Sequence, residues 1–268
     1  DLYGSPQTSF LPSELQDSTA SNKMIASSTP FTPILLELGD LPDGVTLPTS
    51  GLLDGSPVPA AIPAEFLAEF LLNADEPAGF PQGRQSIIDL FEQYDATIVS
   101  GDIHAQLVGT NTASNGGTVV DFTVPSAASS EFRRAVNGAF ASVEALVGTQ
   151  LGGAFEYDAT EKQAVIDATD DIITFNTPEM FAADTATHGY AVFSASSSGI
   201  TAEYSKIDVA QVGNNLYAED EATLEARFTT ESYEIQEVEP TVSSGAGGTV
   251  SGPDEFLVGQ TATFTATP

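Results

Sequence analysis

The sequence predicts an α/β fold, and three observations carry that prediction. A short apolar run, Ala96–Ser100, is entered from a helical pattern and closed by Gly101, as in a strand buried on both faces. Patterns with apolar residues three or four apart recur at 81–94, 131–148 and 160–168, as in helices packed on a core. Between two strand-like runs stands Asn115-Gly116, the dipeptide that suits a tight hairpin turn.

The elements follow in order. An early helix puts Phe10, Leu11 and Leu15 on one face, with Ser13 and Glu14 in its first turn after Pro12. A short strand follows at 23–27. Residues 31–63 are rich in proline and glycine and lack a sustained period, which predicts a long surface excursion tacked down by Leu35-Leu36 and Leu52-Leu53. Residues 64–73 read as a helical turn or two. A better helix spans 81–94, with Ile87, Ile88, Leu90 and Phe91 toward the core. A helical pattern returns at 131–148, with Phe132, Val136, Phe140 and Val143 spaced three or four apart. From Thr187 a second hairpin turns at Gly199, and an acidic loop at 217–221 leads to a strand at 223–229 and a β-rich run to Val238. Residues 241–248 read as a Ser/Gly linker, and 249–268 as the opening strands of a further module.

Composition narrows the function. The 268 residues carry 38 acidic and 7 basic side chains, a formal charge of −31, while an apolar fraction of 41% suffices for a core. Three lysines and four arginines cannot build the basic face that a nucleic-acid backbone requires, so nucleic acid held by charge is excluded. The absence of cysteine removes disulfides, thiolate nucleophiles, iron–sulfur clusters and cysteine-based zinc sites. No apolar run reaches the roughly 18 residues of a membrane span. Such acidity suits a protein exported into salty, calcium-containing surroundings, because carboxylates hold water and cations. The start at Asp1 without a leader reads as a processed product or a piece of something longer.

Few residues can carry chemistry. Gly101-Asp102-Ile103-His104 sets a carboxylate and an imidazole two apart beyond the buried strand; in extended backbone both would face one pocket at the carboxyl edge of the sheet. The pair is a candidate for metal ligation or, equally, a hydrogen-bonded pair that closes a turn. His188, before Gly189-Tyr190, has no carboxylate or second histidine near it in sequence and reads as structural. The acidic runs 167–171 and 219–221 lack the alternation and central glycine of a calcium loop and read as solvated faces. No Gly-x-Ser-x-Gly elbow, His-Glu-x-x-His motif or phosphate loop is present.

The order of segments resembles the C-terminal half of phosphatase D-like alkaline phosphatases, members of the calcineurin-like metallophosphoesterases. Gln7, Phe10-Leu11 and the run from Ser18 to Lys23 stand where the family has a helix leading into a Ser–Ala–x–Trp–Lys strand. Residues 75–84, DEPAGFPQGR, keep the Gly-aromatic-Pro frame and Arg84 while lacking the family's tryptophan. Ser100 to His104 matches its Ser-Gly-Asp-(Val/Ile)-His turn intact, Val119 to Phe122 with Pro125-Ser126 resembles a later strand, and His188 to Val192 another.

The resemblance implies the C-terminal half of a four-layer α/β/β/α sandwich over residues 1–240, followed by the start of an extracellular β repeat at 249–268. It also implies a dinuclear metal centre of iron plus calcium, with Asp102 and His104 as metal ligands and no catalytic residue in this chain. The family's upstream ligand motifs are not found in these 268 residues. The implied partners are therefore the N-terminal half, from the same protein or another chain, and a phosphate-ester substrate. The expectation is an exported phosphatase or phosphodiesterase that scavenges phosphate at the cell surface or outside it. The alternative is a non-catalytic surface or matrix scaffold built on the same fold.

Overall fold

The computed structural model describes residues 4–197, 199–208, 220–237, 249–251, 255–257 and 265–267. The protein is a mixed α/β structure centred on a five-stranded sheet. Its strands are β1 (Lys23–Ala26), β6 (Ala96–Ser100), β8 (Thr118–Thr123), β7 (Gln106–Thr112) and β10 (Met180–Asp184), in that spatial order. β1, β6 and β8 are parallel, whereas β7 runs antiparallel to both β8 and β10.

Alternation along β8 builds two cores. Val119 faces a cluster with Ile87, Ile88 and Phe91 of helix α2 (Pro81–Gln93) and Leu15 of α1 (Ser5–Asp17). Val120 and Phe122 point the other way, with Val108, against a second sheet. That sheet is antiparallel, with strand order β11 (Thr187–Ser196), β12 (Gly199–Asp208), β13 (Thr229–Glu237) and β15 (Glu255–Leu257). Its Ile200, Ala202, Tyr204, Tyr233 and Ile235 fill the space between the sheets. On the helical side, α5 (Thr169–Asn176) buries Ile173 with Leu107 and Met180. A further core joins α3 (Phe132–Leu151), α4 (Ala159–Asp167) and Phe155 and Tyr157 of strand β9 (Phe155–Tyr157). β9 completes a small antiparallel sheet with β3 (Ser50–Leu53) and β4 (Ser56–Pro59). Near the end of the chain β14 (Thr249–Ser251) pairs antiparallel with β16 (Thr265–Thr267).

The hairpin expected at Asn115-Gly116 joins β7 and β8, with Gly116 at φ +94°, a backbone that side chains rarely adopt. The second hairpin, β11 to β12, also forms as expected.

Several expectations are corrected. Helix α1 starts at Ser5, because Pro6 is pre-set for a first turn; Pro12 lies inside it, and Phe10 is 61% exposed rather than buried with Leu11 and Leu15. The 31–63 stretch is not wholly superficial, since Phe31, Thr32 and Ile34 are fully buried under the central sheet. Residues 64–73 hold one 3-10 turn, Ala64–Phe66, followed by strand β5 (Glu69–Leu71), which pairs antiparallel with β2 (Leu35–Glu37), Leu71 opposite Leu35. The segment expected as a strand at 223–229 opens as helix α6 (Glu221–Glu225), because Asp220 caps it by accepting from the Thr223 main chain. The acidic run 167–171 is not a solvated face throughout: the Asp170 carboxylate pairs with Arg133 at 2.6 Å and accepts from Thr185. The linker at 241–248 lies outside the described residues. No described helix is long and apolar enough to cross a membrane.

Candidate functional site

The candidate site is built at the end of β6. Thr97, Ile98 and Ser100 of this strand are buried, which fits its place between two parallel neighbours. Ser100 fixes the strand end: its hydroxyl donates to Asp121 at 3.0 Å and lies 3.0 Å from the Thr123 hydroxyl, while its carbonyl accepts from Val124.

The chain then turns sharply. Ile103 N–H donates to the Gly101 carbonyl at 2.9 Å, and both Asp102 and His104 adopt left-handed backbone, φ +69° and +60°. The backbone is not extended here, so the alternation expected from the sequence does not govern where the two side chains point. Ile103 between them packs against the core that contains Leu107 and Ile173. Asp102 is exposed and His104 half-buried.

His104 is gripped from outside the turn. Its carbonyl accepts from Phe132 N–H at 3.2 Å, and its Nδ1 lies 2.8 Å from the Ser130 carbonyl oxygen. A carbonyl oxygen only accepts, so Nδ1 carries the proton and, in the neutral ring, Nε2 keeps its lone pair. Among the described residues Nε2 and the Asp102 carboxylate have no hydrogen-bond partner. Chemically they are a neutral imidazole nitrogen and a hard carboxylate, donors that suit a transition metal and calcium respectively. They fit as part of a ligand set and not as a whole one: among the described residues no group of three His, Asp or Glu side chains could hold a metal ion.

A third acidic group feels the charge of Asp102 and was not apparent from the sequence. Glu76 precedes the 3-10 turn Pro77–Gly79, and its Oε2 is buried without a hydrogen-bond partner among the described residues. Burial above all, with the charges of Asp75, Asp102 and Asp121 adding to it, pushes its carboxyl up to about 7 against a hydrogen bond with Asn73. Glu76 lies inside the stretch 75–84 singled out in the sequence, but no spacing there distinguishes it from its neighbour Asp75.

The surrounding scaffold explains that stretch. Asn73 is fully buried; its Oδ1 accepts from Ile34 N–H and its Nδ2 donates to the Thr32 carbonyl. Arg84 donates from Nε to the Phe31 carbonyl at 2.7 Å and from Nη2 to Asn111. Asp121, completely buried, accepts from Phe31 N–H, Thr32 N–H and Ser100 Oγ; burial still outweighs these bonds and raises its carboxyl above the ordinary range. The 31–34 and 73–84 segments are thereby locked against the strands that carry the turn. His188 lies on β11, and its Nε2 is buried without a partner among the described residues.

A family model described as PhoD-like phosphatase matches residues 1–204. Among solved structures, that of PhoD is similar, at 13% identity and a TM-score of 0.46, over 91% of this chain and 36% of its own length. The chain thus spans little more than a third of that protein. No curated protein matches the chain.

Proposed function

The chain belongs to the PhoD-like phosphatase family, and from that premise we propose that it is the C-terminal part of an exported, metal-dependent phosphatase or phosphodiesterase. Asp102 and His104 supply two ligands of a dinuclear centre, and the remaining ligands come from a segment outside these residues. The observation that carries the reading is the pair of free donors on one turn: an exposed carboxylate, and an imidazole whose Nδ1 is already spent on Ser130.

When bound, a metal of this kind activates water and stabilises charge on a phosphate ester. The chain's own residues have simpler tasks. Asp102 offers oxygen donors for the harder cation, calcium, and His104 offers Nε2 for iron. Ser130 holds the ring, and the Ser100–Asp121 bond keeps the strand end in place beneath the turn. No side chain here is assigned to attack the substrate.

The same reading treats residues 1–240 as the C-terminal portion of the phosphoesterase domain, 241–248 as a linker and 249–268 as the start of a β repeat. A fourth layer would come from outside the described residues, over the face of the second sheet where Tyr190 and Val192 are exposed.

A non-catalytic scaffold is the second reading, favoured by the lack of a three-ligand group among the described residues. The deciding experiment uses the complete gene product. Elemental analysis for iron and calcium is run beside hydrolysis of p-nitrophenyl phosphate and its bis-ester, for the native protein and for His104→Ala. Bound metal and turnover, both lost in His104→Ala with the melting temperature kept, support the enzyme. A native protein free of metal and turnover supports the scaffold.

A further inference from the structure

His104 does not hold its own ring in place; a neighbouring segment does, and that segment is in turn clamped. Residues 124–132 leave β8, cross the top of the sheet and enter helix α3. Their first part is tied down where Val124 N–H donates to the Ser100 carbonyl and Gly189 N–H donates to the Ser126 carbonyl at 3.0 Å. Within the loop the Ser126 hydroxyl accepts from Ser129 N–H at 2.7 Å, which shapes the approach to Ser130. At the far end stands Arg133, one of seven basic residues in the chain. Its N–H donates to the Thr185 carbonyl at 3.0 Å, and its guanidinium donates to Asp170 Oδ2 at 2.6 Å and to Thr185 Oγ1 at 3.4 Å. Asp170 Oδ1 accepts from the main chain and hydroxyl of the same Thr185, which is fully buried.

Arg133 therefore binds three elements together: α3, the N-terminal turn of α5, and the β10–β11 connection. Two of the three residues just before it contact His104, Ser130 at Nδ1 and Phe132 at the carbonyl.

We infer that Arg133 is a positioning residue for His104: its clamp to Asp170 and Thr185 holds the Ser130 carbonyl against Nδ1, which fixes the ring as the Nδ1–H tautomer and presents Nε2 as the donor nitrogen. The ligand half of this inference rests on the proposed function; the tautomer half does not. Imidazole in water favours the proton on Nε2, the nitrogen that would have to be bare for ligation, so the fold must select the other tautomer. A partner on the second nitrogen of a ligating histidine commonly sets metal affinity by 10–100-fold. The Arg133 bond pair is charge-assisted and two-thirds or more shielded from water, the setting in which such a clamp holds its geometry.

The test uses the complete gene product labelled with 15N-histidine, with metal removed, at pH 8. Nitrogen shifts assigned to His104 by comparison with His104→Ala report which nitrogen carries the proton, and Zn²⁺ uptake by equilibrium dialysis reports ligation. In the native protein His104 is expected as the Nδ1–H form. Arg133→Ala should shift it toward the Nε2–H form and weaken Zn²⁺ binding 10–100-fold, and Arg133→Lys, which keeps the charge and loses the fork, should restore part of both. Asp170→Asn tests the same clamp from the other side and serves if Arg133→Ala does not fold. A native His104 in the Nε2–H form, or a tautomer unmoved in both Arg133→Ala and Asp170→Asn, overturns the inference. A merely structural Arg133 would lower the melting temperature without moving the tautomer, and that result also overturns it. Native protein with the Nδ1–H tautomer and no Zn²⁺ uptake overturns the proposed function and the ligand half, while the response of the tautomer to Arg133 supports or overturns the clamp by itself.

Discussion

The Ser100 hydroxyl donates to the Asp121 carboxylate at 3.0 Å, which joins the last residue of one parallel strand to the middle of the next. The other oxygen of Asp121 accepts from two consecutive main-chain groups, Phe31 and Thr32 N–H. One buried acid thus satisfies the backbone of a loop and orients the strand end beneath the Asp102–His104 turn. Asp121→Ala takes the acceptor from four buried donors, the Thr32 and Ser100 hydroxyls and the Phe31 and Thr32 N–H groups, and the two main-chain groups left without a partner cost about 1–3 kcal/mol each. Chemical denaturation should show a loss of more than about 2 kcal/mol by that count; a loss under about 1 kcal/mol would show that water or other groups replace the carboxylate.

Glu76 makes stability depend on pH. Its carboxyl is raised from 4.5 to about 7, so between those values the folded chain keeps a proton that the unfolded chain has released. Its contribution is therefore fully present below pH 4.5 and is lost as the pH rises through about 7. Glu76→Gln carries no such proton. At pH 8 it should melt about 2–4 °C above the native protein, the partial exposure of the site limiting the gain, and near pH 4 the two should converge. Calorimetry at both pH values checks this, and parallel curves would remove Glu76 as the cause.

Gly79 is required by space. A Cβ at this position would lie 1.7 Å from the Ala74 carbonyl oxygen, a main-chain atom that cannot swing aside. Gly79→Ala should cost at least the roughly 1–3 kcal/mol of an overpacked core and displace the 73–84 segment. A denaturation midpoint equal to that of the native protein would mean that the segment shifts freely.

Asp102 presents the opposite case, a side chain where the backbone favours glycine. At φ +69° a side chain is disfavoured and glycine is not. With metal removed, Asp102→Gly should be as stable as the native protein or more stable by up to about 1 kcal/mol, while binding less metal. Denaturation of the metal-free proteins, and elemental analysis of the same preparations before metal removal, separate the two effects. A clear loss of stability would indicate that the carboxylate has a structural partner.

What can be read in the sequence depends on how local each signal is. Strand β6 is legible because five residues and a terminal glycine suffice to mark it, and α2 because Ile87, Ile88 and Phe91 recur at helical spacing. The 31–34 segment looks like surface in the sequence because its burial is arranged by Asp121 and Asn73, partners 39 to 90 residues away. Helix α6 is hidden because β-branched Thr223 suggests a strand, whereas the Asp220 cap decides. At the site, Asp102 and His104 stand out in a compact motif, but Ser130 does not: it acts through its carbonyl, and every residue has one. Asp170 is one acid in an acidic run, and nothing in that run marks which carboxylate faces Arg133.

The left-handed residues at 102 and 104 also carry a consequence for the history of such a protein. Conformational cost at this turn is continuous, whereas the benefit of its donors exists only when a cation is to be held. Laboratory evolution toward heat resistance alone, with no demand for activity, should therefore admit glycine at 102 and asparagine or glycine at 104 among its early changes. Lineages in which both residues persist under that pressure would show that the two side chains contribute to stability themselves.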